Sequence, residues 1–275
     1  MSKKQQHLYW IMAFVSLIGG VLLTLSQKAA LSAVCFTISG ALFSIVANSA
    51  VMFETGLTWA VLKARFWYRN APCRVSISYL IKISVDGTLL LIRGHRIRTQ
   101  FQPVGGVYKI RFNEVDLVSR FNALPDTRFA PDDVNRGDLR LQLKGKHIPD
   151  LISWFESGRE REFLPTREFY EELVRPGIIP DSAFLYLDCS YIGRRSFGLE
   201  YDKYSNCQQL ILADIYVLHL DEKQLATLRE LKERADLGTV PDVRFASLKE
   251  IASGSPDGSF EIARTATWLT AFRDH

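Results

Sequence analysis

The chain has 275 residues, of which 47% are hydrophobic and 23% are charged, and its formal net charge is +4. This length allows one sizeable domain with additional segments, or two small domains. The low net charge gives no indication that the partner is a DNA or RNA polymer. The four cysteines show neither metal-ligand spacing nor the pattern of a disulfide framework.

Two uncharged stretches occupy the N-terminal fifth of the chain. No residue carries a formal charge from Leu8 to Gln27 or from Ala29 to Phe53, and Lys28 separates the two stretches. Each has about the 20 residues that a helix needs to cross the hydrocarbon core of a bilayer. Because backbone in lipid must satisfy its own hydrogen bonds, we predict a transmembrane hairpin with spans at Leu8 to Leu25 and Leu31 to Phe53. A cleaved signal peptide and a soluble helical hairpin are the alternatives.

The charges that flank these stretches predict the orientation of the hairpin. Two lysines precede the first span, and Lys63, Arg65 and Arg69 follow the second. By the positive-inside rule both termini lie in the cytoplasm. Trp59 and Trp67 would then mark the inner membrane interface.

After Pro72 the apolar residues follow the period of two that is typical of strands. The segments CRVSISYLIKIS and TLLLIRGHRIR, joined by VDG, predict a β-hairpin. In the next segment, QFQPVGGVYKI, Gly105 and Gly106 predict a bulge or a close approach of the backbone to another group. Several prolines follow, and we interpret residues 113–150 as an insertion.

The remainder predicts alternating helices and strands. HIPDLISWFESGRERE indicates a helix that ends near Gly158, and a second helix begins near Thr166, whose hydroxyl would cap it. AFLYLDCSYI and QLILADIYVLHL indicate strands, and DEKQLATLRELKERA an amphipathic helix. VRFASLKEIASG and a closing helix, EIARTATWLTAFRD, complete the chain. We therefore expect a membrane region at 1–70 and one α+β domain at 71–275, with a mixed sheet between helices.

The segment REFYEEL, residues 167–173, crowds three carboxylates into little more than one helical turn. On a helix Glu168, Glu171 and Glu172 share one face, whereas Phe169 and Leu173 point to another side and can pack in a core. One interpretation is a solvated acidic face, stabilised by an i,i+4 pair between Arg167 and Glu171. The other is a site for Mg²⁺ or Mn²⁺ held against a substrate phosphate.

This segment resembles the core of the Nudix box, and QPVGG resembles the Pro-Gly-Gly segment that opens the box in the Nudix fold. VRFASLKEI is similar to the strand and turn near the end of many Nudix domains. The resemblance implies that Glu168, Glu171 and Glu172 bind divalent metal and that Arg167 orients them. Two departures concern the loop that positions a diphosphate: residues 107–166 separate the Gly-Gly pair from the arginine, and the position of the box glutamate is Arg159. Glu160 or Glu162 could replace that glutamate only if the loop is shifted.

Two spans before such a domain resemble the SMODS-associated NUDIX effectors of CBASS antiphage operons, and PVGGVYK, SWFESGRERE and TREFYEEL carry this closer likeness. The resemblance implies a receptor whose cytosolic domain binds a cyclic di- or trinucleotide made after phage infection. Self-association of the bound protomers would then disrupt the inner membrane and stop growth.

A cyclic nucleotide requires cations for its phosphates and aromatic faces for its bases. Beside Gly105 and Gly106, the candidate ligand-binding residues form two groups, for each of which a solvated surface edge is the alternative. They are Arg93, Arg96 and Arg98 before the Gly-Gly pair, and Tyr191, Arg194, Arg195 and Phe197 in a glycine-containing loop.

Three hypotheses about function remain. The first is the receptor and effector, which requires no cofactor. The second is a membrane-anchored Nudix hydrolase that cleaves nucleoside diphosphate derivatives with Mg²⁺. The third is an adaptor that keeps the fold and binds no small ligand. The rebuilt loop favours the effector over the hydrolase.

Overall fold

A computed structural model describes residues 18, 21, 33–37, 56–94, 97–111, 114–126, 137–254 and 260–272. Most of both predicted transmembrane segments lies outside these residues, so the hairpin remains a prediction. Within the described ranges, no helix has the length and apolarity needed to cross a bilayer.

The described residues form an α+β domain. The strands are β1 (Pro72–Lys82), β2 (Ser84–Val85), β3 (Thr88–Arg93), β4 (Gln100–Val107), β5 (Leu124–Pro125), β6 (Arg140–Lys144), β7 (Asp188–Asp202), β8 (Cys207–His219), β9 (Val243–Ser247) and β10 (Glu261–Ile262). The α-helices are α1 (Leu57–Phe66), α2 (Glu114–Phe121), α3 (Ile148–Glu156), α4 (Thr166–Phe169), α5 (Glu222–Asp236) and α6 (Leu248–Ser253). A π-helix (Tyr170–Val174) continues α4, and 3-10 helices cover Gly145–His147, Asp181–Ala183 and Arg264–Ala271.

Strand β1 is the centre of the sheet, because it is hydrogen-bonded along both edges. It pairs parallel to β8 on one edge and antiparallel to β4 and β6 on the other. Beyond β8 lies β7, antiparallel to it, while the first half of β4 pairs with β3 and β3 with β9. The sheet is therefore mixed and mainly antiparallel, and the prediction of an α+β domain with a mixed sheet is confirmed.

Helical segments cover both faces of the sheet. On one face, α1, α3 and the α4–π-helix segment pack on the side chains of Ile77, Tyr79 and Ile81. On the other, α6 and the C-terminal 3-10 helix pack on residues such as Leu80 and Ala213. Burial of apolar surface on both sides contributes roughly 25 cal/mol per Å² removed from water. This packing fixes the α4–π-helix segment against the end of β4.

Several boundaries differ from those predicted. Helix α1 buries Leu57 and Ala60 in the main core, so the folded unit begins before residue 71. Strand β6 pairs with β1 and so belongs to the central sheet, although the predicted insertion, 113–150, included it. The closing segment forms β10 and a 3-10 helix instead of an α-helix. Thr166 is the first residue of α4 and makes no capping hydrogen bond, because Pro165 holds the cap position.

Candidate functional site

The α4–π-helix segment lies directly against the Gly-Gly pair of β4. The Gly105 amide donates a hydrogen bond to Glu172 Oε2 at 3.0 Å. A Cβ atom on Gly106 would lie 1.9 Å from Glu168 Oε1, and one on Gly105 would lie 2.2 Å from the carbonyl oxygen of Tyr79. Gly105 also has a φ of +149°, which side-chain-bearing residues rarely adopt. Position 105 therefore requires glycine, and a side chain at position 106 would displace the Glu168 side chain, as the close approach predicted from the sequence implies.

The Arg167 guanidinium lies among the carboxylates. It donates to Glu162 Oε1 at 3.0 Å, to Glu168 Oε1 at 2.8 Å and to Glu171 Oε2 at 3.0 Å. Its remaining nitrogen donates to the carbonyl oxygen of Val107, which ties the helix to the end of β4. We call Arg167, Glu162, Glu168, Glu171 and Glu172 the Arg167 cluster. The i,i+4 pair expected between Arg167 and Glu171 is thus present, within a larger network.

Burial controls the electrostatics of this cluster. Burial raises the pKa of Glu172 well above its ordinary value, and the Gly105 N–H only partly offsets that increase. Burial also raises the pKa of Glu168, against the opposing charge of Arg167. For Arg167, burial favours a lower pKa, but the hydrogen bond to Glu162 and the charge of Glu168 outweigh it, and the pKa is raised. Arg167 is therefore a permanent cation among carboxylates of which Glu172 is the most costly to ionise.

Glu162 lies opposite Arg167, where the sequence analysis expected either Glu160 or Glu162 to replace the missing box glutamate. Besides its bonds to Arg167, its Oε2 accepts the Lys109 amide at 3.2 Å, and its side chain is nearly buried. Positive φ values at Gly158 and Glu160 reverse the chain and shift the loop. Glu160 instead makes a solvent-exposed pair with Arg120. Of the two replacements considered for the missing box glutamate, Glu162 therefore contacts the arginine.

The donor set of this cluster does not fit a divalent metal in the arrangement observed. One oxygen each of Glu168 and Glu171 is hydrogen-bonded to Arg167, and one of Glu172 to Gly105. Among the described residues, no group of three or more His, Cys, Asp or Glu side chains is placed to hold a metal ion. Arg167 already forms ion pairs with Glu168 and Glu171, two of the three carboxylates that the Nudix resemblance assigns to a metal.

The first candidate ligand-binding group does not lie at this cluster. Arg93 donates to Asp242 at 2.8 Å and to two backbone carbonyls, and its guanidinium stacks on Phe101. It is opposite Phe101, five residues before Gly106, which is roughly 17 Å along a strand at about 3.3 Å per residue. Strand β3 ends at Arg93, so Arg98 lies in an exposed turn and not on the predicted continuous strand. Arg96 is outside the described residues.

The second group was predicted in a loop, but its four residues lie in β7. Gly193 and Gly198 mark irregularities of this strand instead of a loop. Arg195 stacks on Phe272 at 4.3 Å, and Phe197 packs on Trp268 at 4.3 Å, on the face covered by the C-terminal 3-10 helix. Tyr191 and Arg194 contact residues of the opposite face. The four side chains therefore do not converge.

A buried polar network that the sequence analysis missed lies beside the Arg167 cluster. Arg194 Nε donates to Asp214 Oδ1 at 2.6 Å, and Arg194 also pairs with Glu156 at the end of α3. The Tyr108 hydroxyl donates to Asp214 Oδ2 at 2.9 Å and lies 3.2 Å from that of Tyr216. We call these five residues the Tyr108 network. Burial and the charge of Asp214 raise the pKa of Tyr108, so its hydroxyl remains a donor.

Aromatic rings connect the two groups to each other and to the surface. The rings of Tyr79 and Tyr108 lie 4.9 Å apart, and the Glu168 amide donates to the Tyr79 hydroxyl at 3.4 Å. Tyr191, which is 48% exposed, packs on Tyr216 at 5.6 Å. Burial raises the pKa of Tyr191 to about 12. Tyr191 thus presents a protonated, half-exposed aromatic ring at the surface, beside the buried Arg194 of the network. The five residues of the network lie on β7 and β8, at the end of α3 and just after β4, and a lone Asp in the strand pattern was the one sequence signal for it.

Comparison with known families gives one match. A family model described as the SMODS-associated NUDIX domain matches residues 72–270, which include every strand from β1 to β10. No curated protein and no solved structure matches the chain.

Proposed function

The chain belongs to the SMODS-associated NUDIX domain family, and on that premise we propose that it is a membrane-bound CBASS effector. In this proposal the cytosolic domain binds a cyclic di- or trinucleotide that is made after phage infection. Binding favours an assembled state over the resting state, because a ligand shifts an equilibrium only by its difference in affinity for the two states. The assembled N-terminal hairpins then disrupt the bacterial inner membrane.

The observation that carries the choice of receptor over hydrolase is the position of Arg167. Its guanidinium occupies the space between Glu162, Glu168 and Glu171, while Glu172 accepts the Gly105 amide. These contacts bind the box helix to the end of β4 and engage one oxygen each of Glu168, Glu171 and Glu172. A domain built in this way retains the Nudix scaffold and supports ligand binding without turnover.

The surface beside Tyr191 is the part of the domain best suited to a base. An exposed aromatic face stacks on a nucleobase with roughly 1–3 kcal/mol per base. The neighbouring Tyr216 hydroxyl can bond a base edge. The backbone at Gly105 and Gly106 is less suitable, because Glu172 accepts the Gly105 amide and Glu168 covers Gly106. Arg93, Arg195 and Phe197 are less suitable, because each already packs within the domain.

Binding and turnover can be measured together on the full-length protein in nanodiscs. We would titrate a panel of cyclic di- and trinucleotides and recover each nucleotide after incubation with Mg²⁺ to determine whether it is intact. We expect binding of at least one member without cleavage, and weaker binding by about tenfold in Tyr191→Ala. Tyr204→Ala is the matched control, since Tyr204 is almost fully exposed in the β7–β8 turn. A folded protein that binds no member of the panel would contradict the proposal.

A membrane-anchored Nudix hydrolase is the second candidate. It is favoured by one observation, the adjacency of Glu168, Glu171 and Glu172 to the Gly-Gly strand. It predicts Mg²⁺-dependent release of a nucleoside monophosphate that is lost in Glu171→Gln. An absence of turnover across nucleoside diphosphate derivatives would reject it. An adaptor without a small ligand would show no thermal shift with any nucleotide.

A further inference from the structure

Helix α1 has two chemically different faces. Leu57, Ala60 and Ala64 are buried against the main core. On the outer side Trp59 is 50% exposed, and at the end of the helix Phe66 and Trp67 are 66% and 69% exposed. The two indole rings lie 5.9 Å apart. Three large aromatic side chains therefore form one exposed patch on a helix whose other side is fixed in the fold.

The same region carries only positive charge. Its charged side chains are those of Lys63, Arg65 and Arg69, and no acidic residue occurs from residue 55 to residue 73. Arg65 and Arg69 are exposed, and neither forms an ion pair with any residue that the structure describes. Aromatic rings with a polar edge, interspersed with cations, are the composition of helices that lie in the headgroup region of a membrane.

We infer that the outer face of α1, formed by Trp59, Phe66, Trp67, Arg65 and Arg69, lies on the anionic lipid surface of the bilayer. This inference rests on one part of the proposed function, namely that the N-terminal hairpin anchors the protein in the membrane. Charge complementarity favours a surface of acidic lipid, which attracts each nearby Lys or Arg by about 1 kcal/mol. The chain also enters α1 within three residues of the uncharged stretch that ends at Phe53, which places the helix at the membrane surface.

Helix α1 is packed closely on the rest of the domain, so its contact with the membrane affects the whole domain. Gly145 has no room for a side chain, because a Cβ atom would lie 2.3 Å from the carbonyl oxygen of Tyr68 and 2.5 Å from that of Ala64. The Lys146 amide donates to the carbonyl of Arg69, and Lys63 Nζ donates to that of Leu199 in β7. Helix α1 is thus part of the domain and not a flexible linker. Membrane contact through α1 therefore sets the orientation of the whole domain on the bilayer.

Quenching of tryptophan fluorescence by brominated lipid tests this arrangement. The full-length protein is placed in nanodiscs of phosphatidylethanolamine and phosphatidylglycerol in equal amounts, with bromine near the headgroup end of the acyl chains. We expect emission from Trp59 and Trp67 to be quenched, so that Trp59→Phe/Trp67→Phe loses most of the quenched signal contributed by the cytosolic domain. Trp268→Phe is the control, because Trp268 is a buried residue of the C-terminal 3-10 helix and should contribute little to quenching.

Other outcomes separate the inference from its premise. If the chain enters nanodiscs but the double variant and wild type are quenched equally, α1 does not contact lipid and the inference fails alone. If aqueous acrylamide quenches Trp59 and Trp67, these side chains lie in water. If they are shielded from both quenchers, and the shielding increases with protein concentration, they lie against a second copy of the chain. Either result overturns the inference. If the chain does not enter nanodiscs, the membrane anchor fails and the inference fails with it. In Arg65→Gln/Arg69→Gln we expect reduced quenching, with nucleotide binding unchanged.

Discussion

Replacement of Glu172 by glutamine should make the domain more stable at neutral pH. Glu172 is buried, and the Gly105 amide is its hydrogen-bond donor at 3.0 Å. Glutamine has nearly the same shape and keeps an oxygen that accepts this hydrogen bond, but it removes the buried charge. Leaving a buried polar group short of partners costs about 1–3 kcal/mol, and we expect Glu172→Gln to recover an amount in this range.

The effect should depend on pH with a defined sign. Burial raises the folded-state pKa of Glu172 above its unfolded value of about 4.3. Below about pH 4.3 the carboxyl is protonated in both states, so the substitution changes little. As the pH rises the unfolded state ionises first, and wild type loses about 1.4 kcal/mol for each unit that separates the two pKa values. The gain in Glu172→Gln should therefore be larger at pH 8 than at pH 5.

Thermal unfolding of the full-length protein in detergent at both pH values provides the measurement. For a domain of 150–250 residues, about 1 kcal/mol corresponds to roughly 2–4 °C in Tm. Glu171→Gln is the matched control, since Glu171 is 41% exposed and its substitution should change Tm little at either pH. A lower Tm for Glu172→Gln at pH 8, or a gain that is equal at pH 5 and pH 8, would show that the buried charge does not limit stability.

Three further substitutions test the packing of the site by Tm in the same detergent. Arg167→Met leaves buried carboxylates without their cation and should lower the free energy of unfolding by about 3–5 kcal/mol. Arg175→Met is the control, because Arg175 is exposed and its substitution should cost little. Equal losses in the two variants would contradict the role of the ion pairs. Gly105→Ala and Gly177→Ala both place alanine at positive φ, but only the first meets backbone atoms, so its loss should be greater by more than about 1 kcal/mol. Tyr108→Phe removes the donor to a buried carboxylate and should cost about 1–3 kcal/mol; an unchanged Tm would argue against that hydrogen bond.

Local patterns predicted the box helix and its neighbour well. The spacing of Phe169 and Leu173 predicted their place in the core, and both are fully buried. The paired glycines predicted a close approach of the backbone, which the contact of Gly105 with Glu172 provides. These features succeed because they depend on side-chain period and on glycine geometry, which are properties of a few adjacent residues.

Features that depend on distant pairing were not predictable in this way. Gly193 and Gly198 suggested a loop, yet pairing with β8 extends the strand through both irregularities. Glu162 contacts Arg167 across a loop that has positive φ values at two earlier residues, whereas spacing alone points to Arg159. The Tyr108 network joins the β7–β8 pair to the end of α3 and to the residue after β4, and a single aspartate in an apolar strand does not reveal these partners.

The packing of α1 also decides how the protein responds to proteolysis. A cut within residues 53–55 would release a fragment that retains Leu57, Ala60 and Ala64 and hence a complete core. A cut after residue 70 would strip that helix, uncover apolar side chains and leave Gly145 facing an empty groove. We therefore expect a fragment beginning near residue 56 to survive limited digestion, and one beginning at residue 71 to aggregate.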